Sequence, residues 1–220
     1  MAFFIDNVLD RPTFEAIAES LRDERLFEDG RDTARGAARS VKNNEQARSS
    51  DGVVRAVLET IEKAVWGNAD FQAAAIPSRI ARITLSRYTE GMQYGEHVDE
   101  AFISGVRTDL SFTLFLCDPE SYVGGELVIR RHDGDESVKL PSASLYLYPS
   151  NSLHSVSTVE SGIRLAAVGW VQSRVRFDEQ RAVLFDLHQT LRQLPRDDAT
   201  RGLRLNLLRA RNSLMRMWAD

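Results

Sequence analysis

The chain has 220 residues, 43% of them hydrophobic and 27% charged, which is the composition of an ordinary globular protein long enough to bury a sizeable core. Its formal net charge of -4 argues against general nucleic-acid binding, because phosphate recognition depends on clustered positive charge. No stretch approaches the roughly 20 apolar residues of a membrane helix; the N-terminal "MAFFIDNVLDRPTF" lacks a basic start and carries Asp6 and Asp10, and the single cysteine, Cys117, has no intramolecular disulfide partner, so a cytoplasmic protein without a secretory signal is expected.

Residues 1 to about 75 read as mainly helical. In "RPTFEAIAESLRDERL" the residues Phe14, Ile17, Ala18 and Leu21 share one face, with Pro12 near the helix start, and a second helix over roughly 50 to 66 places Val53, Val54, Val57, Leu58, Ile61 and Val65 at helical spacing. Between them "GRDTARGAARSVKNNEQARSS" is polar and small and predicts a long loop. From about 80 to 175 the period changes to two, in "RITLSRY", "DLSFTLFLC", "GELVIRR", "SVKLP", "ASLYLYP", "HSVSTV" and "IRLAAVGWVQS". Short strands at close spacing, rich in β-branched and aromatic residues and broken by Gly, Pro, Asn and Asp, indicate a sandwich, barrel or jelly roll. Gly124-Gly125 precedes a strand and not a helix, so it predicts a tight turn or close backbone approach rather than a phosphate loop. Residues 178 to 218 turn helical again, with an apolar stripe that ends in Met215, Met217 and Trp218 and that covers either the barrel or a second copy in a homodimer.

Within the β region, "GEHVDE" sets His97 and Asp99 two apart, so that in a strand both side chains point to one face. Of the other histidines, His154 begins a strand, His132 falls in an exposed hairpin and His188 on a helix, which leaves His154 as the third donor. Two histidines and one carboxylate form a facial set that leaves positions of an octahedral iron(II) open. Ten residues beyond His154, Arg164 shares a strand face with Ala166 and Val168. A guanidinium on an inward face is costly unless it meets an anion, and its fork fits a carboxylate.

The stretches "RYTEGMQYGEHVDEAF", "DLSFTLFLCDPESYVGGELVI" and "LYLYPSNSLHSVSTVESGIRLAAVGWVQS" resemble the iron(II)- and 2-oxoglutarate-dependent dioxygenases of the prolyl 4-hydroxylase type and, more narrowly, the PKHD-type hydroxylases. The narrower likeness extends to "DGRDTARGAARSVKNN" and "RVRFDEQRAVLFDL" and so spans nearly the whole chain. The family's Tyr-Gly-Tyr-His-Asp pattern is met by Tyr88, Gly91, Tyr94, His97 and Asp99, with a longer gap between the two tyrosines.

The resemblance implies a mainly β fold with flanking helices: a double-stranded β-helix, or cupin-like jelly roll, in a dioxygenase domain over residues 1–175, followed by a helical extension over 176–220. It implies that His97, Asp99 and His154 hold iron(II) and that Arg164 pairs with the distal carboxylate of 2-oxoglutarate. Thr113 is a further partner for that carboxylate, unless Phe115 occupies the position where relatives often carry a tyrosine; Tyr88 and Trp170 line the cosubstrate pocket or simply pack in the barrel. Substrate recognition falls to Tyr94 and to Lys42, Asn43 and Asn44. The activity implied is hydroxylation of an unactivated C–H bond with O2, releasing succinate and CO2, with ascorbate as an accessory. The substrate is left open between a prolyl or lysyl side chain, a peptide and a small metabolite. A non-catalytic cupin-like metal module and a zinc hydrolase are the rival readings, but the hydrolase has no need of Arg164 at this offset.

Overall fold

The computed structural model describes residues 2–33 and 39–220. Short strand β1 (Phe3–Ile5) leads into helix α1 (Arg11–Ser20), where Asp10 caps the start by accepting a hydrogen bond from the Thr13 amide at 2.8 Å and Pro12 sits in the first turn. Strand β2 (Phe27–Asp29) precedes the region expected to be a loop, and that region itself carries two small strands, β3 (Lys42–Asn43) and β4 (Glu45–Ala47). All three are too short to show a period of their own; β3 and β4 form on the edges of the longer β6 and β5, and β2 on the edge of β4. Residues 34–38, part of the same stretch, lie outside the described residues. Helix α2 (Gly52–Gly67), capped by Asp51, and helix α3 (Ala69–Ala75), capped by Asn68, complete the N-terminal layer.

The strands that follow are β5 (Pro77–Tyr88), β6 (Gln93–His97), β7 (Phe102–Ile103), β8 (Val106–Arg107), β9 (Leu110–Phe115), β10 (Tyr122–Gly124), β11 (Leu127–Arg131), β12 (Gly134–Val138), β13 (Leu145–Pro149), β14 (His154–Val156), β15 (Val159–Gly162) and β16 (Arg164–Ser173). They build a seven-stranded sheet in the order β1-β13-β9-β16-β5-β4-β2 and a five-stranded sheet in the order β12-β11-β14-β6-β3. The named pairings in both sheets are antiparallel and mostly join strands distant in sequence, the arrangement of a jelly roll.

Alternation along the large sheet separates its two faces. Leu110, Phe112 and Leu114 of β9, with Leu145, Leu147, Leu85 and Ala167, pack outward against Ile17, Val54, Val57, Ile61, Val65 and Phe71 of α1, α2 and α3. Burying each such side chain contributes about 1.5–3 kcal/mol, so this layer supplies most of the stability. The opposite parity faces the space between the sheets and is largely polar: Ser111 and Thr113 on β9, Thr84, Ser86 and Tyr88 on β5, and Arg164, Val168 and Trp170 on β16. A strand that is buried on both faces yet polar on one must be lining a site.

Helices α4 (Asp178–Gln193) and α5 (Asp198–Trp218) close the chain. The joint between barrel and α4 is held by the buried Arg181, whose Nη1 donates to the carbonyls of Val175 and Arg176, both at 2.7 Å. No helix among the described residues is long and apolar enough to cross a membrane.

Candidate metal and oxoacid site

His97 and His154 are brought together by register: they are direct partners across β6 and β14. Their rings lie 4.2 Å apart between centroids. The strand expected to carry both His97 and Asp99 ends at His97, so Asp99 arrives on the irregular segment that follows and not by strand parity. One donor atom from each of His97, Asp99 and His154 nevertheless lies within 4.8 Å of the others. Asp99 is held in place by Ser111, whose hydroxyl donates to Oδ2 at 2.5 Å. Since that hydrogen is committed, the Ser150 hydroxyl, 2.8 Å away, is the donor to Ser111.

Each histidine is oriented by its own chain. His97 Nδ1 is 2.8 Å from the Gly95 carbonyl, and His154 Nδ1 is 2.9 Å from the Ser152 carbonyl. A carbonyl only accepts, so both Nδ1 atoms carry hydrogen and both Nε2 lone pairs are left for a metal. Burial, followed by the neighbouring His154, lowers the pKa of His97 to about 4, which keeps the imidazole neutral near pH 7. Tyr94 stacks on His97 at 3.7 Å, and Tyr148 meets His154 edge-on at 5.2 Å.

The histidines and Asp99 open on a cavity of about 440 Å³ between the two sheets. At one end lies Arg164, 1% exposed, with its guanidinium 5.1 Å above the Tyr88 ring and 5.6 Å from the Phe115 ring. Its Nε and Nη1 are buried and have no hydrogen-bond partner. Such a group in such a place fits a bound carboxylate, which would satisfy both donors. Burial pushes the pKa of Tyr88 and Tyr148 upward, so their hydroxyls remain protonated as donors.

Of the residues singled out in the sequence, Tyr88, Tyr94, His97, Asp99, Thr113, His154, Arg164 and Trp170 all line this cavity, as do Lys42 and Asn44. Asn43 does not: it is exposed and donates to the Gly91 carbonyl at 3.2 Å. Thr113 is a lining residue, whereas Phe115, on the same strand face, meets the Arg164 guanidinium with its ring. Inspection of the sequence missed Ser111, Ser150 and Tyr148. Ser111 and Tyr148 share the parity of Thr113 and Tyr146, a signal that was present, whereas Ser150 is linked to the site only through space.

Residues 83–172 match the 2OG-Fe(II) oxygenase superfamily. The chain is 50% identical over 194 residues, 88% of each chain, to a PKHD-type hydroxylase of Parvibaculum lavamentivorans. It is 41% identical, over the full length of both, to a PKHD-type hydroxylase of Synechococcus elongatus. The chain belongs to the PKHD-type hydroxylases. In fold this hydroxylase is similar to a Pseudomonas putida prolyl-4-hydroxylase, with a TM-score of 0.56 at 18% identity over 79% of this chain and 92% of that one. It is an iron(II)- and 2-oxoglutarate-dependent dioxygenase, and its histidines and Asp99 are a donor set of the type such iron sites use.

Proposed function

We propose that His97, Asp99 and His154 hold the iron and that Arg164 anchors 2-oxoglutarate, so that the cavity between the sheets is where an unactivated C–H bond is hydroxylated. The observation that carries this reading is the buried Arg164 with two unpartnered nitrogens in the cavity that the three donors line. When bound, iron(II) and 2-oxoglutarate supply the redox chemistry, in which O2 is consumed and succinate and CO2 are released. The chain's own work is orientation. Ser111 fixes the carboxylate of Asp99, and the Gly95 and Ser152 carbonyls fix the imidazoles. Tyr88 and Phe115 form an aromatic cradle for the guanidinium, and Thr113 lies across β9 from Val168 on the same inner face. Trp170 and Asn44 line the wall of the cavity, and Tyr94, stacked on His97, bounds the space left for substrate beside the metal donors. That space suits one side chain, prolyl or lysyl, or a small metabolite. Ascorbate as accessory reductant and a cytoplasmic location belong to this reading on the family likeness and on the lone Cys117.

The test is anaerobic addition of iron(II) and then 2-oxoglutarate to metal-free protein, followed by the weak visible charge-transfer band of the chelated oxoacid. The band is expected in the wild type, absent in His97→Ala, and shifted to about 10-fold to 100-fold higher 2-oxoglutarate in Arg164→Ala, the loss of a charge-assisted pair. Iron binding without any band would point instead to a metal module or hydrolase.

A further inference from the structure

The Gly124-Gly125 turn brings a second polar side chain to Arg164. Gly125 has a φ of +68°, and a Cβ placed on it would lie 3.0 Å from Cδ of Arg164 and 3.1 Å from Cε2 of Tyr122. Both side chains therefore close over the same point of bare backbone, the edge of the phenol ring beside the stem of the guanidinium. Strand register agrees: Tyr122 is the direct partner of Gly162 across β10 and β15, and Gly162 stands two residues before Arg164. Gly162 also has positive φ, and a Cβ on it would lie 3.0 Å from the Cβ of Tyr122.

Tyr122 is 3% exposed, and its hydroxyl is buried without a hydrogen-bond partner, as are Nε and Nη1 of Arg164. Lys139 donates to the Tyr122 carbonyl at 2.7 Å and covers its ring at 3.9 Å, which fixes the residue and leaves the hydroxyl unused. The pair cannot satisfy itself. A guanidinium only donates, so the phenol hydrogen has no acceptor there, and an unmet buried donor costs about 1–3 kcal/mol. That hydrogen stays in place near pH 7, because burial pushes the Tyr122 phenol up to about 12 against the opposing charge of Arg164.

Other neighbours meet the guanidinium differently. Tyr88 and Phe115 offer it their rings. Thr113 lies opposite Val168, four residues along β16 from Arg164, or about 13 Å of extended chain. Arg164 lines the end of the cavity and Tyr122 is packed beyond it, so the phenol is reached only by a group drawn onto the guanidinium.

We propose that the Tyr122 hydroxyl is a second donor to the distal carboxylate of 2-oxoglutarate, which Arg164 and Tyr122 grip together. The inference rests on the oxygenase reading above and deepens it, by giving the anchor a neutral donor from β10. It also makes the anchor selective, since an oxoacid without a distal carboxylate leaves all of these buried donors unpaired.

The experiment titrates the charge-transfer band of anaerobic, iron(II)-loaded protein with 2-oxoglutarate and with 2-oxopentanoate, which has the same five-carbon chain with a methyl group in place of the distal carboxylate. Wild type and Tyr122→Phe are compared. The variant is expected to need about 10-fold more 2-oxoglutarate for half the band, the loss of one hydrogen bond to a charged group, and the same amount of 2-oxopentanoate as the wild type. At saturation its band should keep the wild-type maximum, which shows that the chelate and the fold are intact. An unchanged requirement for 2-oxoglutarate, or an equal loss for both oxoacids, would overturn the role of Tyr122 alone, the second outcome making it a packing residue. Wild-type protein that takes both oxoacids equally well would remove the Arg164 anchor, and no band with either would remove the oxygenase reading itself.

Discussion

Asp99 shows how a residue can be correctly picked out for an incomplete reason. Parity within one strand would place it beside His97, but β6 ends at His97 and the carboxylate is aimed instead by Ser111 from the opposite sheet. Ser111→Ala is therefore expected to weaken iron(II) binding about 10-fold without unfolding the protein, as loss of a group that orients a ligand does. Competition with a chelator would check it, and unchanged affinity would show that the backbone alone positions Asp99. Lys42 gives a pH test. Its folded-state pKa of about 8 lies below the ordinary 10.5, so between these values the unfolded chain holds more protons and the cost of burying the ammonium is relieved as pH rises. Lys42→Met should thus stabilise the free protein by about 1–3 kcal/mol at pH 7, a gain that fades toward pH 10.5. Urea titrations of both proteins across that range measure the difference; a gain that grows with pH would contradict it.

At the scale of elements, the long central strands were legible because their period of two persists over enough residues to be counted, and the polar parity of β9 and β16 was legible with them. The Gly124-Gly125 turn was read for its chemistry, and the structure gives the reason. Both glycines have positive φ, a Cβ on Gly124 would lie 2.0 Å from the Thr158 carbonyl oxygen, and one on Gly125 would lie 3.0 Å from Cδ of Arg164. Gly91 also has positive φ but open space around it. Gly91→Ala is expected to cost only backbone strain, about 1 kcal/mol, and Gly124→Ala about 3 kcal/mol or more, because strain and overlap add. Unfolding midpoints in urea separate the two, and equal losses would mean that the β10 turn relaxes freely. Strands β2, β3 and β4 escaped the sequence reading because two or three residues have no period; β3 and β4 exist through pairing with β6 and β5, and β2 through pairing with β4.

Across the whole molecule, the C-terminal helices return to the barrel. Leu214, Met215 and Trp218 pack on Ile76, Val175 and Leu184, and Asp220 pairs with Arg107 at 3.1 Å. Removal of residues 214–220 is expected to lower Tm by about 6–12 °C, the loss of some 3 kcal/mol of apolar burial in a domain of this size, and to leave the charge-transfer band intact. An unchanged Tm would mean that the end of α5 carries no stability. Leu203, Leu205, Leu208 and Met217 stay exposed on α5, so the apolar stripe seen in the sequence is only partly absorbed by the barrel. The sequence by itself determined the class of chemistry, because the donor types His97, Asp99, His154 and Arg164 fall inside long stretches that resemble the PKHD-type hydroxylases over nearly the whole chain. Only the tertiary structure decided that Lys42 and Arg82 line one cavity from opposite sheets, that Ser111 aims Asp99 and that Asn43 turns away. Those relations join strands distant in the chain, and no local pattern records which strands will pair.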